Sequence, residues 1–162
     1  MKSKNTYIPR VSFRVIDPEN GASVNAAEWI SKPEEVRTKA EWITVESDDG
    51  YEFLLHKSNA PGGDMTFAEA QKASASVCEG GRCGTRFEFM LIQYGREKFE
   101  TNLDKLLIII GGDPFRGNWY WTEEEVASSA GYAWVFSGHG GGNLSCSNAR
   151  CFACLARVFR AL

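Results

Sequence analysis

The sequence predicts an α+β domain, and three observations point to this class. Two runs of alternating apolar and polar residues, Glu41–Ser47 and Tyr51–His56, flank the turn sequence Asp48–Gly50. Two Thr-x-x-Glu motifs then begin segments of helical character, at Thr66 and at Thr85. The last third of the chain has short aromatic runs and glycine loops without helix start signals. We therefore expect two main helices, short antiparallel strands and a loop-rich C-terminal half.

The predicted strands rest on a period of two, which places alternate side chains on one face of a sheet. Tyr7–Ile16 has apolar residues at Val11, Phe13 and Val15, and the turn residues of Asp17–Gly21 end this strand. The Asp-Asp-Gly sequence between the next two alternating runs favours a tight β-hairpin. These runs supply the β part of the predicted fold.

A short helix is expected between the first strand and the hairpin. Ser31, Pro33 and Glu34 are typical of a helix start, with a capping serine and a proline near the first turn. The chain of 162 residues is long enough for one core, and it has no internal repeat or linker. We expect an N-terminal strand extension or attachment segment over residues 1–40 and the main domain over residues 41–162.

Threonines mark the starts of the two main predicted helices. Thr66 begins an alanine-rich helix that runs to about Cys78, where Gly80–Gly81 end it. Thr85 begins the second helix. The apolar residues of this helix at helical spacing are Phe87, Met90, Leu91 and Tyr94.

A third, shorter segment starts at Thr101 and ends at Gly111–Gly112. It contains a run of five large aliphatic residues, Leu106–Ile110. Periodicity over so few residues does not distinguish a helix from a buried strand, so both stay open. A membrane-spanning helix needs about 20 apolar residues, and we therefore expect no membrane insertion.

Charge and the N-terminal residues exclude further classes. A formal net charge of -3 leaves no basic footprint for nucleic acid, so no nucleic-acid partner is expected. The first residues contain no apolar segment of the secretory type. We expect a protein of the cytoplasm of the producing cell or one associated with a virion. The sequence leaves an oligomer open.

Five cysteines occur, Cys78, Cys83, Cys146, Cys151 and Cys154. The odd number and the missing secretory signal argue against a disulfide framework, so reduced thiols are expected. A local disulfide between Cys78 and Cys83 is the alternative for that pair.

The C-terminal part of the chain has a restricted composition. Val135–Leu162 contains no Lys, Glu, Gln, Met or Trp, although the preceding chain uses Glu and Lys freely. Helices favour several of these residue types, and a buried core contains more large apolar residues than this segment offers. The composition therefore indicates a constraint other than folding.

Several motifs carry a resemblance to a known family. They are GGRCGTRFEFM at Gly80–Met90, YWTEEE at Tyr120–Glu125, AWVF at Ala133–Phe136 and LARVFRAL at Leu155–Leu162. In this order they resemble the bacterial and phage branch of the C-type-lectin-like fold. The resemblance covers the chain from about Glu41 to its C-terminus and implies that fold.

Within this branch the chain is most similar to the variable proteins of diversity-generating retroelements. In those systems reverse transcription randomises adenines, mostly in AAY codons, and the resulting NNY codons cannot encode Lys, Glu, Gln, Met or Trp. The composition of Ser137–Cys154 fits that restriction. The resemblance implies a binding module over residues 41–162, not an enzyme, whose varied surface contacts an unknown protein or glycan. For a phage-borne protein it implies receptor binding at a tail tip.

The resemblance implies a ligand-binding face and a constant frame. The predicted face consists of Tyr120, Tyr132, Ser137, His139, Asn143, Ser145, Ser147, Asn148, Arg150 and Phe152. The predicted frame consists of Trp121, Ala133, Trp134 and Arg157. We expect the frame to be buried and the segment Ser137–Cys154 to be exposed. Trp119, Trp121 and Trp134 are expected to be core or groove-wall residues, and Arg157 to pair with Glu124 or Glu125 or to be solvated.

The chain departs from the family pattern at a few positions. Gly84 stands where the family has proline, which we expect to loosen that turn. Glu123 and Glu124 replace small hydroxyl residues. The EPN, QPD and WND calcium motifs of animal lectins are absent from the matching region, so calcium-dependent sugar binding is not expected.

Two alternatives remain open. His139, Cys146, Cys151 and Cys154 have enough ligands for a zinc-stabilised or redox module, although the spacing matches no familiar finger. A structural lectin-like domain without a variable face is the second. Formylglycine-generating enzymes share the fold, but these cysteines lack their motif, and His56 reads as a surface strand residue. We expect no catalytic residues, no metal and no cofactor.

Overall fold

The computed structural model of the protein describes residues 10–97, 103–139 and 142–162. The described residues form five helices and eight strands in antiparallel sheets, which confirms the predicted α+β class. The elements are β1 (Val11–Ile16), β2 (Ser23–Asn25), α1 (Ala26–Ile30), α2 (Glu34–Arg37), β3 (Trp42–Ser47), β4 (Glu52–Asn59), α3 (Phe67–Val77), α4 (Arg86–Glu97), α5 (Leu103–Ile109), β5 (Trp119–Glu125), β6 (Tyr132–Ser137), β7 (Asn143–Asn148) and β8 (Arg157–Arg160).

The large sheet has the strand order β2-β1-β3-β4-β8, and all its neighbours are antiparallel. The predicted hairpin is confirmed, since β3 and β4 pair from Trp42 opposite His56 to Glu46 opposite Glu52. The C-terminal strand β8 joins the far side of β4, and the register shifts between Leu55 and Asn59.

The N-terminal residues belong to the same core as the rest of the chain. β1 lies between β2 and β3, and its alternate residues Val11, Phe13 and Val15 are buried as the pattern predicts. Trp29 of α1 is also buried, and its indole donates a hydrogen bond to the Arg37 carbonyl (3.1 Å). Among the described residues the packing shows no break near residue 40. An attachment role for residues 1–40 stays a prediction, and residues 7–9 of the predicted first strand lie outside the described part.

The strand β2 and the helix α1 were not predicted. The sequence suggested that Ser31 caps the following helix, and this is wrong. Ser31 ends α1, and its hydroxyl donates to the Glu28 carbonyl (2.6 Å). Pro33 is the N-terminal cap of α2 and makes no side-chain capping bond. The signal for α1 is Asn25, whose side-chain oxygen accepts from the Ala27 amide (2.9 Å).

Both predicted threonine caps are present, and the second of them is a reciprocal capping box. The Thr66 hydroxyl accepts from the Glu69 amide at the start of α3 (3.3 Å). The Thr85 hydroxyl accepts from the Glu88 amide (3.1 Å), and the Glu88 carboxylate accepts in return from the Thr85 amide (2.9 Å). α3 ends at Val77, as predicted.

Two details of the helix predictions need correction. The run Leu106–Ile110 is helical over most of its length in α5, which removes the strand alternative; Thr101 lies outside the described residues. On α4 the buried apolar residues are Phe89, Leu91 and Ile92, so the predicted stripe is confirmed at Leu91, and Tyr94 packs against the same core. Phe87 of the stripe is 49% exposed, and Phe89 and Ile92 were not predicted.

The small sheet has the order β5-β6-β7 and lies between two apolar clusters. On one side Phe136 stacks on Phe89 of α4, with ring centroids 4.9 Å apart. On the other side Trp121 and Val135 pack with Met65 and the residues around it. Both faces of the inner part of this sheet are therefore buried.

No helix within residues 10–97, 103–139 and 142–162 has the length and apolar character required to cross a membrane.

Candidate ligand-binding surface

The segment Ser137–Cys154 begins at a main-chain anchor. The Gly138 amide donates to the Asn118 carbonyl (2.7 Å), and the Gly138 carbonyl accepts from the Arg96 guanidinium (2.8 Å). A side chain at Gly138 would collide with the Phe115 carbonyl, so the close approach at this point requires glycine. No separate sequence pattern predicted this anchor.

The same segment is also held in its middle and at its end. The Ala149 amide donates to the Gly131 carbonyl (2.8 Å), and the Ala149 carbonyl accepts from the Phe67 amide (2.9 Å). The Cys154 carbonyl accepts from the Met65 amide (2.9 Å). Between these points β7 pairs with β6 along its whole length. Backbone groups make all these bonds, so they do not depend on which side chains the segment carries.

Most of the predicted face residues are accessible. Tyr132, His139, Asn143, Asn148, Arg150 and Phe152 are exposed, and Ser145 and Ser147 are half-buried. Phe152 is 62% exposed, which is unusual for a phenylalanine in a folded domain. These side chains are therefore free to contact a ligand, as their predicted role requires.

Two predicted face residues are buried, and their assignment is wrong. Tyr120 is fully buried, and its ring centroid lies 5.0 Å from that of Phe115. Its hydroxyl donates to the Pro114 carbonyl (3.3 Å). Ser137 is 4% exposed, and its hydroxyl accepts from the His139 amide (3.3 Å). Both residues support the surface from below and cannot contact a ligand directly.

The accessible residues do not form one surface. Ser145 lies opposite Val135 in the β6–β7 register, so it shares a face with the similarly placed Asn143 and Ser147. Tyr132 lies opposite Asn148, and both belong to the other face of the small sheet. The predicted face is thus divided between the two sides of the sheet.

A groove lies on the first of these two faces. It has a volume of about 260 Å³ and is lined by Trp119, Val135, Ser145, Cys146, Ser147, Ala153 and Cys154. We call it the Trp119 groove. The Trp119 side chain is 38% exposed, and none of the lining residues carries a formal charge. The groove therefore combines one large accessible aromatic ring with hydroxyl groups.

His139 lies at the rim of the Trp119 groove. Its ring centroid is 6.0 Å from that of Trp119, and the two planes are tilted by 52°. Sequence reasoning identified Trp119 as a core or groove-wall residue and His139 as a contact residue, and the structure brings the two together. Sequence reasoning did not identify Val135 and Ala153 as groove residues, since small apolar residues in a strand or loop give no functional signal.

The predicted frame is buried except at one position. Trp121 and Ala133 are fully buried, and the Trp121 indole donates to the Met65 carbonyl (2.8 Å). Trp134 is only half-buried, with the Arg86 guanidinium 4.6 Å from its ring centroid. Arg86 also pairs with Glu124 (3.2 Å). Trp134 thus occupies a half-buried position on the face of the small sheet that also carries Phe136.

Arg157 differs from both of its predicted environments. It is fully buried, so it is not solvated, and neither Glu124 nor Glu125 pairs with it. Its guanidinium donates to carbonyl and amide oxygens and to a hydroxyl, and the acceptors are the His56, Lys57 and Asp113 carbonyls, Asn59 Oδ1 and Tyr120 Oη. Burial lowers the pKa of Arg157, while Tyr120 opposes that shift. Arg157 satisfies the carbonyls that the bulge in β4 turns away from the sheet.

The Gly80–Met90 motif includes the start of α4, and its Arg82 main chain bonds to Phe159 of β8. Gly84 is buried, and a Cβ atom there would lie 2.6 Å from the Phe159 ring. Phe159 therefore occupies the space that a larger residue would need, and the expectation that glycine loosens this turn stays a prediction. Burial alone would raise the pKa of Glu88, but bonds from Arg82 (2.6 and 2.8 Å) and the Thr85 amide hold it below its ordinary value.

The arrangement of the cysteines does not favour the zinc alternative. All five are free thiols, including Cys78 and Cys83. No group of three or more metal-ligating side chains occurs within the described residues, which include His139, Cys146, Cys151 and Cys154. Burial raises the pKa of Cys83 to about 11 and that of Cys154 to about 12. These two groups are therefore thiols and not thiolates at neutral pH.

His56 is a packed residue and not the surface residue that the sequence suggested. It is half-buried, and its ring meets the edge of Trp42 with centroids 4.9 Å apart. Its Nδ1 accepts from the Ser58 amide (3.1 Å). Burial lowers the pKa of His56, so the imidazole is neutral at pH 7.

A larger cavity of about 390 Å³ lies along α3. Its lining includes Glu69 and Lys72 but no aromatic ring. It lies outside the segment of restricted composition. Only the Trp119 groove joins a cavity to that segment among the cavities described here.

Comparison of the chain with protein-family models, with curated proteins and with solved structures finds no match in any of the three.

Proposed function

We propose that this protein is a target-recognition module that presents a diversified C-terminal surface on a lectin-like scaffold. The surface consists of β7, the turn after it and the loop at His139, together with the Trp119 groove. Its partner is a protein or a glycan on a target surface. As a variable protein of a diversity-generating retroelement, it would act in the producing cell or on a virion.

One observation carries this proposal: the segment Ser137–Cys154 has accessible side chains on a backbone that main-chain hydrogen bonds hold in place. The anchors at Ala149 and Cys154 use main-chain amide and carbonyl groups only, and the anchor at Gly138 adds a bond from the Arg96 guanidinium to a main-chain one. A surface with this construction tolerates side-chain replacement without loss of its shape, which is what a diversified binding site needs.

The chemistry of the surface supports the proposal as well. Trp119, His139 and Phe152 offer aromatic area, and asparagine and serine side chains offer adaptable hydrogen bonds. Antibody paratopes combine the same two kinds of residue, since rigid aromatic rings lose little conformational entropy on binding. The burial of Trp121, Ala133 and Arg157 supplies the constant frame that such a surface requires.

Sequencing sibling copies of the gene, together with the neighbouring locus, tests the proposal directly. We expect a reverse transcriptase gene and a near-copy of the codons for residues 120–160. Substitutions should concentrate at exposed positions such as Asn143, Cys146 and Arg150. Ser137 should remain constant or vary conservatively, because it is buried.

Two outcomes would overturn the proposal. One is a locus that has neither a reverse transcriptase nor a near-copy of those codons. The other is a set of siblings in which residues 142–153 are as constant as the hairpin of β3 and β4. The second outcome would favour a structural domain without a variable face.

A further inference from the structure

We propose that the Trp119 groove binds a neutral saccharide ring, stacked on the Trp119 indole and hydrogen-bonded by Ser145 and Ser147. This inference rests on the proposed function, because it names the chemical class of the ligand at the same surface. It involves no calcium, and it concerns a single groove on one face of the small sheet.

The first step is the charge of the groove. None of the seven lining residues is Asp, Glu, Lys, Arg or His, and the burial that raises the pKa of Cys154 to about 12 keeps that thiol neutral. A cationic ligand would need a carboxylate to replace its hydration, and an anionic ligand would need Lys or Arg. Neither kind of side chain lines the groove, so a neutral ligand fits it best.

The second step is the combination of an aromatic ring with hydroxyl groups. A pyranose ring has a face of C–H groups and a rim of hydroxyls, and it therefore needs an apolar platform beside polar partners. Trp119 is 38% exposed and lines the groove as such a platform. The Ser145 and Ser147 hydroxyls have no hydrogen-bond partner among the described residues. Each hydroxyl can donate and accept, as sugar hydroxyls require.

The third step is size. The groove volume of about 260 Å³ lies just below the ~300–1,000 Å³ typical of pockets for drug-sized molecules. The space suits one ring, with the remainder of an oligosaccharide extending along the surface. The ring centroid of His139 is 6.0 Å from that of Trp119, so His139 is close enough to the groove to contact such an extension.

The division of roles between constant and varied positions sharpens the inference. Trp119 precedes the segment of restricted composition, and NNY codons cannot encode tryptophan. Ser145 and Ser147 lie within that segment and are NNY-encoded types. Sibling proteins would therefore keep the stacking platform and change the hydroxyl partners around it. Recognition of rings would be common to all siblings, and the choice among sugars would differ.

The experiment is an array of neutral and anionic oligosaccharides probed with the full chain, followed by calorimetric titration of the neutral saccharides that bind. The test variant is Trp119→Ala. The matched control is Phe87→Ala, since Phe87 is also an exposed aromatic residue (49%) but does not line the groove and lies outside the predicted face. Thermal unfolding by circular dichroism checks that both variants are folded.

We expect the wild type to bind at least one neutral saccharide, with no loss on addition of a chelator. Trp119→Ala should weaken that binding about tenfold or more, as expected for a tryptophan anchor. Phe87→Ala should leave it within about twofold. Ser145→Ala combined with Ser147→Ala should change the order of preference among neutral sugars.

Three results would overturn the inference: binding to none of the neutral saccharides, binding only to anionic ones, or neutral binding that Trp119→Ala leaves unchanged. A protein ligand that is lost in Trp119→Ala, in the absence of any saccharide binding, would assign the groove to a protein side chain. Such results leave the sibling test of the proposed function intact. Constant siblings would instead overturn the proposed function even if a saccharide binds.

Discussion

The strands β4 and β7 have the same local conformation for different physical reasons. β4 is an inner strand between β3 and β8, and its residues Phe53, Leu54 and Leu55 are buried. Among the described strands β7 has a neighbour on one side only, and each of its residues is half-buried or exposed. Side-chain burial therefore determines β4, whereas main-chain pairing with β6 and the flanking anchors determine β7.

Because of this difference, β7 accepts more kinds of side chain than β4 does. Burial of one large apolar side chain contributes about 1.5–3 kcal/mol, so β4 tolerates few substitutions. The side chains of β7 contribute little to the core, and the backbone bonds there are the same for any residue other than proline. Substitution of matched residues, one buried and one more accessible, tests this difference.

The largest effect is expected for Trp121→Ala compared with Trp119→Ala. Trp121 is fully buried, bonds to the Met65 carbonyl and meets Phe67 edge-on. Its removal should lower the free energy of unfolding by about 3–5 kcal/mol, whereas Trp119→Ala should cost about 1 kcal/mol or less. Equilibrium unfolding in urea measures both values. Equal losses would show that Trp119 belongs to the core.

The next effect compares the two arginines of β8. Arg157→Met removes the guanidinium bonds to the His56 and Asp113 carbonyls and one of the two bonds to the Lys57 carbonyl, and it should cost about 3 kcal/mol or more. Arg160→Met should cost about 1 kcal/mol or less, because Arg160 is half-buried and lies over the Trp42 ring (5.5 Å). The measurement is again urea unfolding. A similar loss for both would mean that charge, and not the bonding of Arg157, matters in β8.

A smaller effect compares two glutamates and depends on pH. The pKa of Glu88 in the folded protein lies below its ordinary value of 4.5, so its contribution is present above that pH and is lost as pH falls through the folded pKa. Glu88→Gln should cost about 1.5–3 kcal/mol at pH 7 and much less in acid. The surface pair of Glu124 with Arg86 should contribute about 0.5 kcal/mol or less, so Glu124→Gln is the control. Urea unfolding at pH 7 and at pH 3 measures both, and a Glu88→Gln cost that does not change with pH would contradict the assignment.

The smallest effect is expected in the accessible segment. Ser145→Asn, Ser147→Asn and Phe152→Tyr each use NNY-encoded residue types and should change the free energy of unfolding by about 0.5 kcal/mol or less. For a domain of this size that corresponds to a shift of about 2 °C or less in Tm. A loss comparable to that of a buried residue would show that side chains of this segment support the fold.

Sequence reasoning identified the elements that local chemistry determines. The hairpin follows from alternation and an Asp-Asp-Gly turn, and α3 and α4 follow from threonine capping. The segment Ser23–Ile30 was missed, because it lacks a periodic pattern and its strand forms by pairing with β1. Local signals do not report which distant strand offers an edge.

The candidate surface was predicted less completely, for a related reason. Tyr120 and Trp121 alternate in β5, which suggests one exposed and one buried residue, but both faces of the small sheet are covered at that point. Arg157 was predicted to pair with a glutamate or to be solvated, because its actual partners are mostly main-chain carbonyls near the register shift in β4. Such acceptors leave no trace in the sequence. The exposure of β7 was predicted, because its small polar residues supply too little apolar area for burial.

The position of β8 has a consequence for the production of altered chains. This strand follows the segment of restricted composition, pairs with β4 and contributes Phe159 and Arg157 to the interior. A chain that ends early or changes its reading frame within residues 142–153 therefore lacks the outer strand of the large sheet and cannot complete the core. Under the proposed diversification, folding would therefore act as a check on each altered gene, because a copy without an intact frame loses the contacts of β8.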